Sequence, residues 1–325
     1  MLISVLLFAV GLVLLIKGGD WFVDGAVGIA KRFNLPDIVV GATVVSIGTT
    51  LPEVMVSTTG ALAGSGAMAY GNAIGSIICN TALIAAISIA VNPGPVNVKS
   101  MKTPVIFFFL SAAMYCLAAY GLGTFPRWMG FVMLLIFVVY ITLTVRNGLR
   151  NPDAAAEEEE EETGKPKKLW QELLQLVIGA AVIAVGADLL VDHGQVIALE
   201  LGVPETVVAL LFVALGTSLP ELVTTITSLK KGRASLGVGN VIGANVFNLV
   251  LVSGVAVSLA PFDVPVENTL LNTGLNLSLV FDIPVMLLVM LLMTVPALTR
   301  KKLGRWQGIL LLCIYAAFCV CQFML

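Results

Sequence analysis

Two motifs occur twice in this chain, and equivalent positions of the two copies are always 168 residues apart. GTTLPE at residues 48–53 returns as GTSLPE at residues 216–221, and GNAIGSIICN at residues 71–80 returns as GNVIGANVFN at residues 239–248. Both copies lie in apolar sequence, and each puts one glutamate near the middle of a stretch that is long enough to cross a bilayer. The duplication predicts an internal structural repeat with an ion site where the two copies meet.

The composition and the apolar stretches predict a membrane protein. The 325 residues are 58% hydrophobic and only 12% charged. A helix needs about 20 apolar residues to cross a bilayer, so we expect an all-α polytopic membrane protein with ten transmembrane helices. A β-barrel would instead show alternating segments of roughly ten residues. The predicted spans lie at residues 2–18, 38–62, 68–91, 104–121, 128–146, 170–190, 206–229, 236–260, 276–298 and 306–324.

A polar linker at residues 147–168, which contains the acidic run 157–162, divides the chain into two halves, 1–146 and 169–325. Sixteen of the 18 Lys and Arg residues fall on one side of the predicted spans. By the positive-inside rule, that side and the linker face the cytoplasm. We therefore expect a multi-pass protein of the cell (inner) membrane with both termini outside. Because each half has five spans, the second half enters from the opposite side, which predicts two inverted five-helix repeats with broken helices at the midplane.

The paired glutamates, Glu53 and Glu221, are the strongest candidates for function. A charged side chain at the centre of a bilayer costs about 2.5–3.5 kcal/mol, and no Lys or Arg lies in the central parts of the repeated spans, so we expect a bound cation as partner. A glycine and a proline beside each glutamate interrupt the helix and free carbonyl oxygens. Carboxylates, carbonyls and hydroxyls form an all-oxygen ligand set, which suits Ca²⁺ and Na⁺. The hydroxyl residues of this set are Thr49, Thr50, Thr217 and Ser218.

A purely structural interpretation of the same residues exists. Thr50 to Glu53 and Ser218 to Glu221 both fit the capping-box pattern S/T-x-x-E, with proline in the first helical turn. The glutamates would then only cap two restarted half-helices. That interpretation explains the local geometry, but not why a helix should restart in mid-membrane twice.

The second motif has glycines spaced four apart, which lets helix backbones approach closely. We expect Asn72 and Asn240 to make hydrogen bonds between helices, and Asn80 and Asn248 to lie at the cation site. Some residues lack an identical counterpart in the other half and would make the halves bind unequally: Ser46, Ser76 and Asn245. Four repeated aspartates near span ends are expected to anchor helix termini, although the first and sixth helices can continue past them: Asp20, Asp24, Asp188 and Asp192.

GTxLPE followed by GNxxGxxxxN, twice and inverted, resembles the α-repeats of the cation/Ca²⁺ exchanger superfamily, specifically the prokaryotic type of the sodium/calcium exchanger branch. The resemblance covers both halves, and it implies electrogenic antiport, commonly of three Na⁺ for one Ca²⁺. Two positions depart from the family pattern. Ala244 stands where many relatives have a serine. Asn248 stands where potassium-dependent and some prokaryotic relatives have an aspartate, which argues against K⁺ co-transport.

The resemblance also implies a role for each matching residue. Glu53 and Glu221 would ligate Ca²⁺ directly, and the carbonyls of Thr49 and Thr217 would join them. The same resemblance implies that Thr50, Ser218 and Ser76 help to bind Na⁺. Asn80 and Asn248 would complete the central site. The carbonyls of Ser46 and Ala214 would serve the outer Na⁺ positions.

The sequence therefore predicts Na⁺-coupled Ca²⁺ antiport by alternating access, with H⁺/Ca²⁺ or other divalent antiport as the alternative, since a mid-membrane glutamate can also take up a proton. A passive channel is disfavoured by the inverted repeat and the broken helices. An intramembrane enzyme is disfavoured because the spans contain no Ser–His, Ser–Lys or metal-binding His pair. The expected partners are the two ions and lipid. No cofactor and no nucleic acid are expected, and a monomer suffices.

Overall fold

The computed structural model describes residues 2–150, 168–201, 216–265 and 276–324. This part of the chain is helical apart from turns and four two-residue strands, β1 (Gly94–Pro95), β2 (Thr124–Phe125), β3 (Phe262–Asp263) and β4 (Lys302–Leu303). The helices are α1 (Leu2–Phe33), α2 (Asp37–Thr49), α3 (Leu51–Leu62), α4 (Gly66–Val91), α5 (Val98–Leu122), α6 (Arg127–Leu149), α7 (Leu169–Glu200), α8 (Leu219–Lys230), α9 (Ala234–Leu259), α10 (Ser278–Arg300) and α11 (Arg305–Met324).

The described helices make a polytopic membrane fold. Eight of them are long and apolar enough to cross a bilayer, and the bent pair of α2 and α3 makes a ninth span. The remaining predicted span, at residues 206–229, is described only from residue 216 onward, where it contains α8.

The helices found at the first and sixth predicted spans are longer than the apolar stretches there. Helices α1 and α7 have 32 residues each. The repeated aspartates therefore lie inside these helices and not at their ends, so the prediction that they anchor helix termini is wrong. Hydropathy locates the apolar part of a span, whereas the helix continues as long as its backbone hydrogen bonds are satisfied.

Each duplicated TLPE or SLPE segment restarts a helix. Helix α2 ends at Thr49 and α3 begins at Leu51, with a bend of 46° between them. Pro52 lies in the first turn of α3, and Pro220 lies in the first turn of α8. Proline has no N–H to donate. It therefore disturbs a helix less in the first turn, where N–H groups have no partner within the helix, than in the middle. The break puts each glutamate into the first turn of a helix.

The second duplicated motif also has the same local distortion in both copies. Asn80 begins a π-helical turn, Asn80–Ala85, inside α4, and Asn248 begins a π-helical turn, Asn248–Val252, inside α9. Such turns are rare and are frequently found at functional sites. The described residues contain three more, at Gly41–Val45, Leu117–Leu122 and Ser278–Asp282, so what marks these two is their equivalent position in the two halves. Helices α4 and α9 are the most buried of the candidate spans, at 72% and 83%, so these asparagines lie in the centre of the described bundle.

Helices α1 and α7 occupy equivalent positions in the two halves and pack against each other along their length. The contact depends on glycines: a Cβ at Gly11 would lie 2.9 Å from the carbonyl oxygen of Gly186, and a Cβ at Gly186 would lie 2.9 Å from that of Gly11. Near the other end, Gly25 approaches the backbone of Glu172. As the residue number rises along α1 it falls along α7, so the two helices run antiparallel.

The short strands link the halves in the same reciprocal way. Gly94 of β1 pairs with Leu303 of β4, and Thr124 of β2 pairs with Asp263 of β3. Strands β1 and β3 are equivalent, since they lie 168 residues apart. Each strand pair therefore joins one segment of the first half to one of the second half.

Candidate functional site

The two repeated glutamates are completely buried. Glu53 in α3 and Glu221 in α8 are each 0% exposed. Within the described residues, none of their four carboxylate oxygens has a hydrogen-bond partner, and no Lys or Arg forms an ion pair with either side chain. The two carboxylates are close enough for their charges to act on each other. Two like charges in a low-dielectric environment repel strongly, so the pair needs positive charge from another source.

Further buried polar groups without partners lie next to Glu53 and Glu221 in sequence or on elements that pack against their helices. The hydroxyls of Thr50 and Ser218 are buried, and so are the side-chain amides of Asn80 and Asn248, and none of these has a hydrogen-bond partner in the part of the chain that is described. Helix α3 packs against the π-helical turn that begins with Asn248, and α8 packs against the turn that begins with Asn80. The glutamate helix of each half thus lies beside the asparagine turn of the other half.

The capping-box interpretation is not supported by this geometry. Thr50 and Ser218 are the residues that precede α3 and α8, yet neither makes a side-chain capping hydrogen bond. The carboxylates of Glu53 and Glu221 are also without partners. Buried polar groups in proteins are nearly always hydrogen-bonded, so a cluster of unpaired oxygens indicates a ligand. Carboxylate, hydroxyl and amide oxygens together suit a hard cation such as Na⁺ or Ca²⁺.

Three other predicted site residues use their hydroxyls to hold the two halves together. Thr49 Oγ1 donates to Asn240 Oδ1 at 3.2 Å, and Ser46 Oγ donates to the Asn240 carbonyl at 3.0 Å. In the equivalent place, Thr217 Oγ1 donates to Asn72 Oδ1 at 3.3 Å. The prediction that Asn72 and Asn240 make hydrogen bonds between helices is confirmed.

Two predicted site residues remain, Ser76 and Ala214. Ser76 is 3% exposed and lies one turn before Asn80 in α4. Its counterpart Ala244 is also buried but has no side-chain oxygen. Ala214 lies outside the described residues, as does the acidic run at residues 157–162.

The sequence interpretation missed several polar contacts. Asn245 Nδ2 donates to Thr81 Oγ1 at 2.7 Å and so ties α9 to the π-helical turn of α4. Asp282, for which the sequence suggests no role, accepts a hydrogen bond from Gln322 Nε2 at 2.6 Å. Both are contacts between residues far apart in sequence, and neither pair stands out by type or spacing. Helix α8 also carries buried hydroxyls beyond Glu221, at Thr224, Thr225 and Ser228.

Comparison with known proteins bears on the whole chain. A family described as sodium/calcium exchanger protein matches residues 3–146 and 172–324. An uncharacterised membrane protein of Methanocaldococcus jannaschii is 35% identical over 308 residues, which cover 95% of this chain and 94% of that protein. The sodium/calcium exchanger MaX1 of Methanosarcina acetivorans is 29% identical over 355 residues and 99% of each chain. A solved structure of the sodium–calcium exchanger NCX_Mj, soaked with Na⁺ and Sr²⁺, matches with a TM-score of 0.77 and 33% identity over 97% of each chain.

Proposed function

The chain belongs to the sodium/calcium exchanger family, and we propose that it exchanges Na⁺ for Ca²⁺ across the membrane at the site formed by Glu53 and Glu221. The observation that carries this proposal is the cluster of buried, unpartnered oxygens around two carboxylates that come from equivalent positions of the two halves. Two carboxylates neutralise one Ca²⁺ or two Na⁺. Both ions therefore compete for the same charges, which couples their movements.

We propose that the fold consists of ten transmembrane helices in two inverted repeats, residues 1–146 and 169–325, joined by the linker at residues 147–168. Three reciprocal relationships support the inversion. The equivalent helices α1 and α7 run antiparallel. Each of the two strand pairs joins a strand of one half to a strand of the other. The hydrogen bond from Thr49 to Asn240 has its counterpart in the one from Thr217 to Asn72. An inverted pair offers a route to alternating access, since each half can adopt the conformation of the other.

In the proposed site, Glu53 and Glu221 ligate Ca²⁺ directly, with the carbonyls of Thr49 and Thr217. The remaining ligands bind Na⁺ or complete the central site, and they are Thr50, Ser218, Asn80, Asn248, Ser76 and the carbonyls of Ser46 and Ala214. Burial and the absence of hydrogen-bond partners support this assignment for the first four of these residues. The tie to Asn240 supports a structural part for the Ser46 hydroxyl, beside the proposed role of its carbonyl.

We propose that the protein lies in the cell membrane with both termini outside and the linker in the cytoplasm. The basic residues of the α8–α9 loop then face the cytoplasm, together with β1 and β4, whereas β2 and β3 face outward. A single chain contains both glutamates, so the site is complete in a monomer.

Transport into inside-out vesicles tests the proposal. We expect Ca²⁺ uptake to require an outward Na⁺ gradient and to saturate. The family match and the relatives do not favour the proton-coupled alternative. Uptake that a pH gradient drives equally well without Na⁺ would refute the proposal, and so would flux that needs no counter-ion on the far side.

A further inference from the structure

A line of hydroxyl side chains follows Glu221 along one face of α8. Thr224, Thr225 and Ser228 come three, four and seven positions after the glutamate, which places them on the same side of the helix. They are 0%, 2% and 0% exposed. Within the described residues none of the three hydroxyls has a hydrogen-bond partner. We call these three residues the hydroxyl stripe.

Several buried hydroxyls in other helices bond within their own helix, although four scattered ones, at Thr58, Ser100, Thr144 and Ser258, also lack a partner in the described residues. A helical Ser or Thr can donate to the carbonyl four residues earlier, which satisfies the group locally. Thr43, Ser111 and Thr294 are as buried as the stripe, and they do so at 2.7, 2.7 and 2.6 Å. In α8 each stripe residue likewise has a backbone carbonyl four residues earlier, yet none of the three hydroxyls donates to it. Its oxygens therefore remain free to contact a ligand.

The internal repeat does not account for the hydroxyl stripe. The positions equivalent to Thr224, Thr225 and Ser228 in the first half are Val56, Ser57 and Gly60. Of these only Ser57 has a hydroxyl, and that oxygen already accepts a hydrogen bond from Asn72 Nδ2 at 2.8 Å. The three free hydroxyls thus belong to one half only, between the central site and the proposed cytoplasmic face.

The far end of the hydroxyl stripe lies close to a cavity at that face. The Ser228 carbonyl accepts a hydrogen bond from the Arg233 backbone N–H at 2.8 Å, so the stripe ends at the α8–α9 loop. A cavity of about 440 Å³ adjoins the same loop, and its mixed lining includes the polar side chains of Ser88, Asn92 and Ser235. Helix α8 also packs against Ala86–Val91, the end of α4 that contributes Ser88 to this cavity.

We propose that the hydroxyl stripe is the cytoplasmic access path, along which Na⁺ and Ca²⁺ pass between this cavity and Glu221. The inference rests on the proposed function of the central site. A hard cation that leaves water needs oxygen ligands, and hydroxyl oxygens replace water without adding charge. Neutral ligands bind an ion firmly enough to admit it and weakly enough to release it, which a conducting path requires. The carboxylate at its inner end attracts the cation to the central site.

Substitution of the stripe tests this path from each side of the membrane separately. Thr224→Val, Thr225→Val and Ser228→Ala remove the oxygens at little cost in volume. Loss of one ligand contact should raise the KM for Ca²⁺ about fivefold or more at the cytoplasmic face, measured in inside-out vesicles. In right-side-out vesicles the KM should change less than about twofold, because the outer route does not include α8's stripe. Thr59→Val is the matched control, since Thr59 is exposed on α3 and its hydroxyl already donates to Met55.

A KM that is unchanged at the cytoplasmic face, or raised equally at both faces, would overturn the inference. Exchange by the unsubstituted protein tests the proposed function by itself, so the two failures are distinguishable. Reactivity gives a second test that needs no change in affinity. In a variant without the five natural cysteines, Ser228→Cys should react with a membrane-impermeant thiol reagent from the cytoplasmic side only, and the reaction should block transport. No reaction during active transport would also exclude the path.

Discussion

The Thr49 hydroxyl donates a hydrogen bond to Asn240 of the other half, with a distance of 3.2 Å between the two oxygens. Thr49 is the last residue before the helix break, and Asn240 lies 191 residues further along the chain, in α9. The bond therefore fixes the end of one half's broken helix to a central helix of the other half. Any relative movement of the two halves has to break this bond or shift Thr49, which lies four residues before Glu53.

Asn240→Ala should weaken Ca²⁺ binding without unfolding the protein. The change leaves the Thr49 hydroxyl without its acceptor and removes the Asn240 side-chain contact to Ser46. A typical hydrogen bond contributes about 1 kcal/mol, which corresponds to roughly a fivefold higher Kd. Binding to purified protein measures it.

Asn147→Ala provides the control for that experiment. Asn147 also donates a hydrogen bond between helices, to Thr103 at 3.0 Å, but it lies at the end of α6 and away from the glutamates. We expect its Kd for Ca²⁺ to stay within about twofold of the unsubstituted protein. An equal loss of affinity in both variants would mean that general loosening of the bundle, and not the position of Thr49, sets the affinity.

Glu53→Gln and Glu221→Gln should each abolish Ca²⁺ exchange. Each change removes one of the two buried charges but keeps the size of the side chain. The attraction of two unit charges 4 Å apart is about 4 kcal/mol at an effective dielectric constant of 20, and Ca²⁺ carries two charges, so the loss of affinity should be at least about a thousandfold. Glu200→Gln, at the exposed end of α7, should exchange normally. A Glu53 or Glu221 variant that exchanges at the normal rate would remove that residue from the site.

The sequence predicts the centre of the proposed site but not the contacts that connect it to the rest of the bundle. Duplicated glutamates in apolar sequence predict buried carboxylates, because no other arrangement makes their repeated presence tolerable. The TLPE and SLPE segments predict helix restarts, because proline and glycine act locally. Asn72 and Asn240 were expected to bond between helices, but their partners could not be named, since contacts between the halves depend on the packing of whole helices.

Other features are left open by the sequence, for physical reasons that differ. The sequence allows α1 to continue past Asp24 but does not require it, because a membrane helix can extend into water where charges are no longer costly. Thr224 and Ser228 look like ordinary helical hydroxyls, because the sequence does not reveal whether a hydroxyl bonds to its own helix. Only the side-chain geometry of α8 distinguishes them.

Gly41→Ala should strongly destabilise the protein. Helix α2 meets α9 at this point so closely that a Cβ on Gly41 would overlap the carbonyl oxygen of Leu236 and lie 2.8 Å from the Asn240 backbone nitrogen. Both obstacles are backbone atoms and cannot rotate away. Overpacking of this kind costs roughly 3 kcal/mol, so the Tm in detergent should fall by several degrees. Gly94→Ala, where no atom of the described residues lies within 4 Å of the new Cβ, should leave the Tm unchanged.

Lys231, in the α8–α9 loop, forms ion pairs with Asp24 and Asp20 of α1. The opposite face lacks the equivalent pairs, because Ala63 stands at the position that corresponds to Lys231, although the two aspartates recur. In the proposed orientation, the pairs therefore favour closure of the cytoplasmic side only. The lysine side chain is 28% exposed and the aspartates 41%, so water and salt weaken the attraction and its contribution is about 0.5 kcal/mol.

Lys231→Ala should accordingly make the cytoplasmic side open more readily, and the KM for cytoplasmic Ca²⁺ should fall by about twofold at low ionic strength. The shift should disappear at high ionic strength, since screening has already removed the attraction. Combining Lys231→Asp with Asp24→Lys should restore the original KM, because the exchanged charges attract as before. If the exchanged pair behaves as the sum of its two single variants, Lys231 and Asp24 act independently and the cytoplasmic closure depends on other contacts.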